Sequence, residues 1–387
     1  MERCRIWRHI SLWGCAAVLA LSSCRPQPQS SPEFRIGVLA TLSGPRAESS
    51  GEATVNGART AVDEANEAGG IAVGGVPHQI VMVVRDHADR ADAATGAARE
   101  LINQEHVDVL VGPQLSEHAI PVARLAEEAG IPMISPMSTN PETTADKRFA
   151  FRVAFLDDFQ GQVLARFARE DLKADRVAVL FDITRPYSRS LAEFFRDAVE
   201  LEGAEVVAFE SFLQSGDSDF GPQLRRIREG APDVLFLPNY TAVDSIQMRQ
   251  ARELGIEATF LGGDSWDLNS LSLLTATDGA YTTRQWSPDL ALEEAATFRN
   301  KYRERFGGEP RITAAMTYDA VGLLLDALHR AGRTDAEPVR DALASTRGYR
   351  GATGLIEYTG SGDPTRAVVI SRVQGRSAAV HRVVEPR

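Results

Sequence analysis

Ser116, Thr139, Thr241 and Asp264 are small polar side chains standing at the ends of apolar, strand-like runs. Groups of this kind hydrogen-bond a ligand, and in open α/β sheets ligands bind outside the carboxyl ends of the strands. Bond-making chemistry is not indicated. The chain has no Gly-x-Ser-x-Gly elbow, no glycine-rich phosphate loop closing on Lys-Ser or Lys-Thr, and no Cys/His metal spacing. Asp86-His87-Ala88-Asp89 invites a metal reading, but a single histidine between acids on a post-strand loop is expected to be solvated. The pattern points to binding without catalysis, and it implies no cofactor.

The elements that position these residues repeat. Asp108–Thr139 and Asp233–Asp264 match at a constant offset of 125 positions. Asp108-Val109-Leu110 aligns with Asp233-Val234-Leu235, and Pro113 with Pro238. Arg124, Ala126, Glu128, Gly130 and Ile131 align with Arg249, Ala251, Glu253, Gly255 and Ile256. Each copy runs apolar strand, polar loop, amphipathic helix, glycine stop and apolar strand, which is a βαβ unit. Two such units, each offering polar groups at strand ends, suggest a ligand gripped between two lobes.

A length of 387 residues favours two domains over one core. With 43% hydrophobic and 25% charged residues the composition is that of a globular protein. A net charge of −11 with no basic stretch argues against a nucleic-acid partner. Arg3, Arg5 and Arg8 precede the apolar run Ile10–Leu21. That run is shorter than the roughly 17–25 residues that span a bilayer, and it has the flanks of a secretory leader. Leu21-Ser22-Ser23-Cys24 resembles the lipobox of bacterial lipoproteins. The resemblance implies a leader over 1–23, a lipid on Cys24, and export to a bacterial membrane facing the periplasm or the cell exterior. Residues 24–33, rich in Pro, Gln and Ser, read as a flexible tether. Cys4 and Cys15 fall inside the leader, so the body is expected to contain no disulfide.

From Phe34 onward strands and helices alternate, with strands expected at Phe34–Ala40, Ile80–Val84, Val107–Val111 and Pro132–Ile134. A second series starts at Arg176–Phe181, followed by a helix over Ser188–Glu202 and a strand over Glu205–Phe209. Three late helices (Leu290–Phe306, Thr313–Ala331, Ala336–Thr346) follow it, so the chain is expected to return and cover the first lobe. The fold class is α/β: two doubly wound parallel-sheet lobes, 34–156 plus 285–365 and 157–284 plus 366–387, joined by a three-segment hinge.

Read together, the loops carry a resemblance. Leu42-Ser43-Gly44-Pro45, Asn66-Glu67-Ala68-Gly69-Gly70, Ile131-Pro132-Met133-Ile134-Ser135-Pro136, Asn140-Pro141-Glu142, Leu261-Gly262-Gly263-Asp264, Thr317-Tyr318-Asp319-Ala320 and Thr353-Gly354 fall in order. They resemble the leucine/isoleucine/valine-type substrate-binding proteins of ABC importers, with the type I periplasmic-binding fold, over about Phe34 to Val373. The resemblance implies roles. Ser116 and Thr139 would hold a ligand α-carboxylate, and Ser116 stands just ahead of a helix, whose free N–H groups suit an anion. Without a ligand the same serine is a helix cap. Met137 would offer its backbone carbonyl to an ammonium, its side chain pointing away, with Ser138 beside it in the same lining segment. Asp264 would pair with the ammonium from the opposite lobe. Tyr187 and Tyr240, both expected on polar post-strand loops, would cover the ligand side chain, the alternative being core tyrosines with satisfied hydroxyls.

Two departures stand out. Many such proteins place Tyr where this chain has Ser50, and the same loop is one residue longer and carries Arg46. A missing aromatic wall suggests a roomier or more polar pocket, with Arg46 expected as a solvated loop charge in preference to a reader of an anionic ligand side chain. Trp266 and Trp286 are placed either to close the pocket or to pack at the hinge. The implied function is a monomeric, lipid-anchored solute-binding protein that captures an amino acid or related amine/carboxylate and delivers it to an ABC permease. A sensing or regulatory lipoprotein of the same fold is the alternative.

Overall fold

The computed structural model describes residues 31–44, 46–213, 218–267, 275–375 and 377–386. Cys24 and the proposed leader therefore lie outside the described residues. The first lobe opens with β1 (Glu33–Ala40), α1 (Glu52–Glu67) and a hairpin of β2 (Ile71–Val73) and β3 (Val76–Asp86). It continues with α2 (Ala91–Asn103), β4 (Val109–Val111), α3 (Ser116–Ala129), β5 (Met133–Ser135) and β6 (Ala150–Arg152). The six-stranded sheet has the order β2-β3-β1-β4-β5-β6, parallel except at the β2–β3 hairpin. Helices cover both faces, which is why β1 and β4 are buried along almost their whole length.

The second lobe holds α4 (Asp157–Glu170), β7 (Arg176–Asp182), α5 (Pro186–Leu201), β8 (Glu205–Phe212) and α6 (Gly221–Glu229). It goes on through β9 (Val234–Leu237), α7 (Thr241–Glu253), β10 (Thr259–Gly262) and β11 (Tyr281–Arg284). The chain then crosses back as α8 (Glu293–Phe306), α9 (Ile312–Ala331) and α10 (Ala336–Ala344), with a small sheet of β12 (Tyr349–Gly351), β13 (Gly354–Tyr358) and β14 (Pro364–Thr365). As expected, α9 and α10 cover the first sheet: Met316, Leu324, Leu328 and Leu343 share a core with Phe34, Ile36 and Val109. Finally β15 (Val368–Gln374) and β16 (Ser377–Val384) join the second sheet, whose order is β16-β15-β11-β10-β9-β7-β8.

The two predicted copies fold alike, as β4-α3-β5 and β9-α7-β10. Their matched acids do one job. Asp108 Oδ2 accepts the Arg35 N–H of β1 at 2.7 Å, and Asp233 Oδ2 accepts the Asp175 and Arg176 N–H groups at the start of β7, both at 2.9 Å. Their matched glycines, Gly130 and Gly255, take the left-handed conformation that ends each helix. Several expectations need correction. The strand expected at Ile80–Val84 is the longer β3, preceded by its hairpin partner. Helix α4 was not anticipated, and β15 and β16 run antiparallel, so the second sheet is mixed. Helix α5 begins at Pro186, so Tyr187 stands in a helical first turn and not on a loop. Trp266 packs in the core of the second lobe and Trp286 against α8 of the first.

Candidate functional site

On the first lobe, hydroxyls gather at the start of α3. Ser116 is its first residue, and no side chain caps the helix. Ser138 Oγ donates to Ser116 Oγ at 3.0 Å, and the Asn140 N–H points at the same oxygen at 3.4 Å. Thr143 Oγ1 lies 2.7 Å from Ser138 Oγ, and because the Ser138 proton is already given to Ser116, Thr143 is the donor. Ser116 thus accepts twice and keeps its own O–H to donate. Its side chain does not cap its own helix, so the cap reading fails. A hydroxyl donor beside an uncapped helix start favours an anion. Asn140 Oδ1 accepts the Glu142 N–H at 2.8 Å and fixes the short turn that follows. The loop is held from below by Arg152, fully buried, which donates to the Ser138 carbonyl at 2.9 Å and pairs with Asp363 at 2.8 Å. Met137 packs its side chain on the first-lobe core, leaving its backbone toward the loop.

On the second lobe the corresponding position is acidic. Asp264 is buried and accepts from Gln285 Nε2 at 2.9 Å, Tyr187 Oη at 3.1 Å and Gln160 Nε2 at 3.3 Å. Burial still pushes its carboxyl above the ordinary range, although all three donors favour the charge. The two glycines before it make room. A Cβ on Gly262 would fall 2.1 Å from the Trp266 indole, and one on Gly263 would fall 2.3 Å from the Tyr187 hydroxyl. Without that space Tyr187 could not reach Asp264.

A second acid, missed in the sequence, joins it. Asp157 opens α4, and Gln160, on the same face of that helix, contacts Asp264. The Asp157 N–H donates to the Thr139 carbonyl of the first lobe at 3.0 Å. Neither carboxylate oxygen has a well-formed hydrogen bond, although the Thr139 and Ser190 hydroxyls stand close enough to favour its charge. Burial, reinforced by the Asp264 charge, pushes the carboxyl up to about 8. Gln160 Oε1, also buried, has no partner either. The unsatisfied groups beside Asp264 are thus chiefly acceptors, and what suits them is a donor-rich cation.

The lobes also meet at a charged cluster. Tyr240 Oη donates to Glu117 Oε2 at 2.9 Å across the cleft, and Arg185 pairs with the same carboxylate. Arg46 lies over the Tyr240 ring, 4.9 Å from its centroid, and holds Asp89 at 2.9 Å, so it is not the solvated loop charge expected. Tyr187 and Tyr240 stack with centroids 5.5 Å apart. His87 is not solvated either: it is buried, contacts Thr41 Oγ1 at 3.2 Å and sits edge-on to His118. Among the described residues no cluster suits a metal ion. Ser50 is half-buried in the turn before α1, and among the described residues its side chain makes no hydrogen bond to the other site residues. A surface cavity of about 510 Å³ lined by Leu42, Glu52, Arg59 and Val84 touches none of the proposed site residues.

Ser116, Ser138, Thr139, Tyr187, Tyr240 and Asp264 are therefore brought to one interface between the lobes, and Asp157, Gln160 and Arg152 join them. Little in the sequence pointed to the last three, because helix α4, which carries Asp157 and Gln160, was not anticipated and the burial of Arg152 depends on tertiary packing. Comparison with known proteins agrees with this architecture. Residues 33–378 match the family model described as periplasmic binding protein. The Leu/Ile/Val-binding protein BraC3 of Rhizobium johnstonii is 31% identical over 350 residues, covering 87% of this chain and 90% of its own. The leucine-binding protein LivK of Thermotoga maritima superposes with a TM-score of 0.83 at 32% identity, covering 91% of this chain and 99% of its own. LivJ of Streptococcus pneumoniae, solved with isoleucine, gives 0.80 at 28% identity, covering 92% and 100%. With two α/β lobes, facing polar loops and a family match over nearly all the described residues, the chain belongs to the periplasmic binding protein family.

Proposed function

We propose that the protein captures an α-amino acid between its lobes and delivers it to an ABC importer. What carries the reading is the opposition of charge preference across the cleft. Ser116 offers a hydroxyl donor at an uncapped helix start, and the buried acids Asp264 and Asp157 face it from the other lobe. A zwitterion satisfies both ends at once. Thr139 and the Met137 carbonyl complete the first-lobe side, and Tyr187 and Tyr240 flank the ligand side chain. The names of the relatives, leucine-binding and Leu/Ile/Val-binding, support an aliphatic ligand. Full contact needs both lobes, so the ligand favours the closed form by its differential affinity for it. Export and a lipid on Cys24 form part of the reading, supported by the leader-like run and lipobox.

A thermal-shift screen against amino acids, their amides and small carboxylates tests it. Ligand at about 100 times its dissociation constant adds roughly 2.7 kcal/mol of stability. The expected result is a rise in melting temperature with one or more α-amino acids. No rise with any of them removes the reading.

A further inference from the structure

The geometry points to Gln285 as a positioning residue that ties the ligand-facing acid to the hinge. The inference rests on the amino-acid-binding reading and goes one step beyond it. Gln285 follows β11 at the second crossing between lobes and is 1% exposed. Its Nε2 donates to Asp264 Oδ2 at 2.9 Å. Its Oε1 accepts the Phe155 N–H, on the first crossing, at 3.2 Å. These two bonds fix the amide orientation, since only the nitrogen can serve a carboxylate and only the oxygen a backbone N–H. Its backbone carbonyl accepts from Arg366 Nη2, on the third crossing, at 2.7 Å. The buried Arg366 also donates through Nη1 to the Val153 carbonyl of the first crossing at 2.8 Å.

One residue thus touches both other hinge segments and the acid that meets the ligand. A hinge twist that shifts Phe155 against β11 must move or strain the amide that aims Asp264. A cation seated on Asp264 holds the same amide in place. Glutamine suits the post because a neutral donor orients the carboxylate without neutralising it. Lys or Arg there would compete with the ligand for the charge.

A double-mutant cycle read by calorimetric titration tests the coupling. The probe is the α-amino acid that stabilises the wild type most, from a panel of the twenty standard ones beginning with L-leucine. Gln285→Leu should weaken binding about tenfold or more in the wild-type background and less than twofold when Asp264→Asn is already present. A purely structural hinge role predicts the same loss in both backgrounds, and that result overturns the proposal. Gln285→Glu guards against misfolding, because it is isosteric and keeps the acceptor for Phe155. Combined with Asp264→Asn it moves the charge to the other side of the same side-chain contact and restores the hydrogen bond with donor and acceptor exchanged. The double variant should therefore bind more tightly than Asp264→Asn alone, and equal or weaker binding contradicts the coupling. Wild type that binds no α-amino acid sinks the functional reading and the coupling with it. Wild type that binds, with additive losses, sinks the coupling alone.

Discussion

The copies β4-α3-β5 and β9-α7-β10 share a scaffold and differ in what they present to the cleft. Their strand-start acids, Asp108 and Asp233, and their helix-ending glycines, Gly130 and Gly255, hold the same posts in both. At the loop tips the likeness stops. The first copy ends in hydroxyls gathered at the start of α3, and the second ends in Asp264, with Asp157 beside it. Packing rules constrain the scaffold in the same way twice, whereas the two ends of a zwitterion make opposite demands on the tips. Mutations in the scaffold should therefore act alike in the two lobes and lower stability, and mutations at the tips should act differently and lower affinity.

The largest effect is expected at Asp264→Asn. Removing one partner of a buried charge pair typically costs about 2–5 kcal/mol, so amino-acid affinity by calorimetry should fall roughly 30-fold or more. An unchanged titration would break the assignment of the acidic tip. The next effect is a pH dependence set by Asp157. Its native carboxyl is raised to about 8, far above its unfolded value, so the free protein holds a proton there across neutral pH. A ligand ammonium favours the ionised form, so binding releases that proton. Affinity should then rise with pH, by up to about tenfold per unit below 8, and level off above it. By the same linkage this group stabilises the free protein most in acid and less as pH climbs toward 8. Asp157→Asn should give a shallower affinity profile, and an identical slope would detach Asp157 from the ligand.

Ser116→Ala should weaken amino-acid binding by about tenfold, the scale of one hydrogen bond to a charged group. Binding of the corresponding amino-acid amide should change much less, since it lacks the anion. Equal losses for both ligands would mean that Ser116 does not read the carboxylate. The smallest effects belong to the scaffold. Gly130→Ala and Gly255→Ala each force an L side chain into the left-handed region, at about 1 kcal/mol. Each should lower the melting temperature by a few degrees and leave affinity unchanged, and a large difference between the two would weaken the repeat.

Much of this was legible in the sequence because it rests on local rules. Hydrophobic period, glycine stops and the 125-residue offset locate β4, α3, β9 and α7 to within a few residues. The Gly262-Gly263-Asp264 motif was visible as a pattern, but its reason, clearance for Trp266 and the Tyr187 hydroxyl, exists only in three dimensions. Helix α4 was not anticipated, and the reason for its Gly161, close approach to the backbone of α5 at Phe194, exists only in the folded structure. With that helix unseen, Asp157 and Gln160 could not be placed opposite Asp264. Arg46 and His87 were misread for a related cause. Burial of a charged or polar loop residue depends on the other lobe or on a neighbouring loop, and no sequence period reports it.

The most direct test is a calorimetric titration of the protein with its best-binding α-amino acid and with two analogues of it, one lacking the amine and one with the carboxylate made an amide. If opposite lobes hold opposite ends of the ligand, each analogue should bind at least about 100-fold more weakly than the parent, a difference near 2.7 kcal/mol. An analogue that binds within a few-fold of the parent would contradict the account, because one tip of the cleft would then make no contribution to recognition.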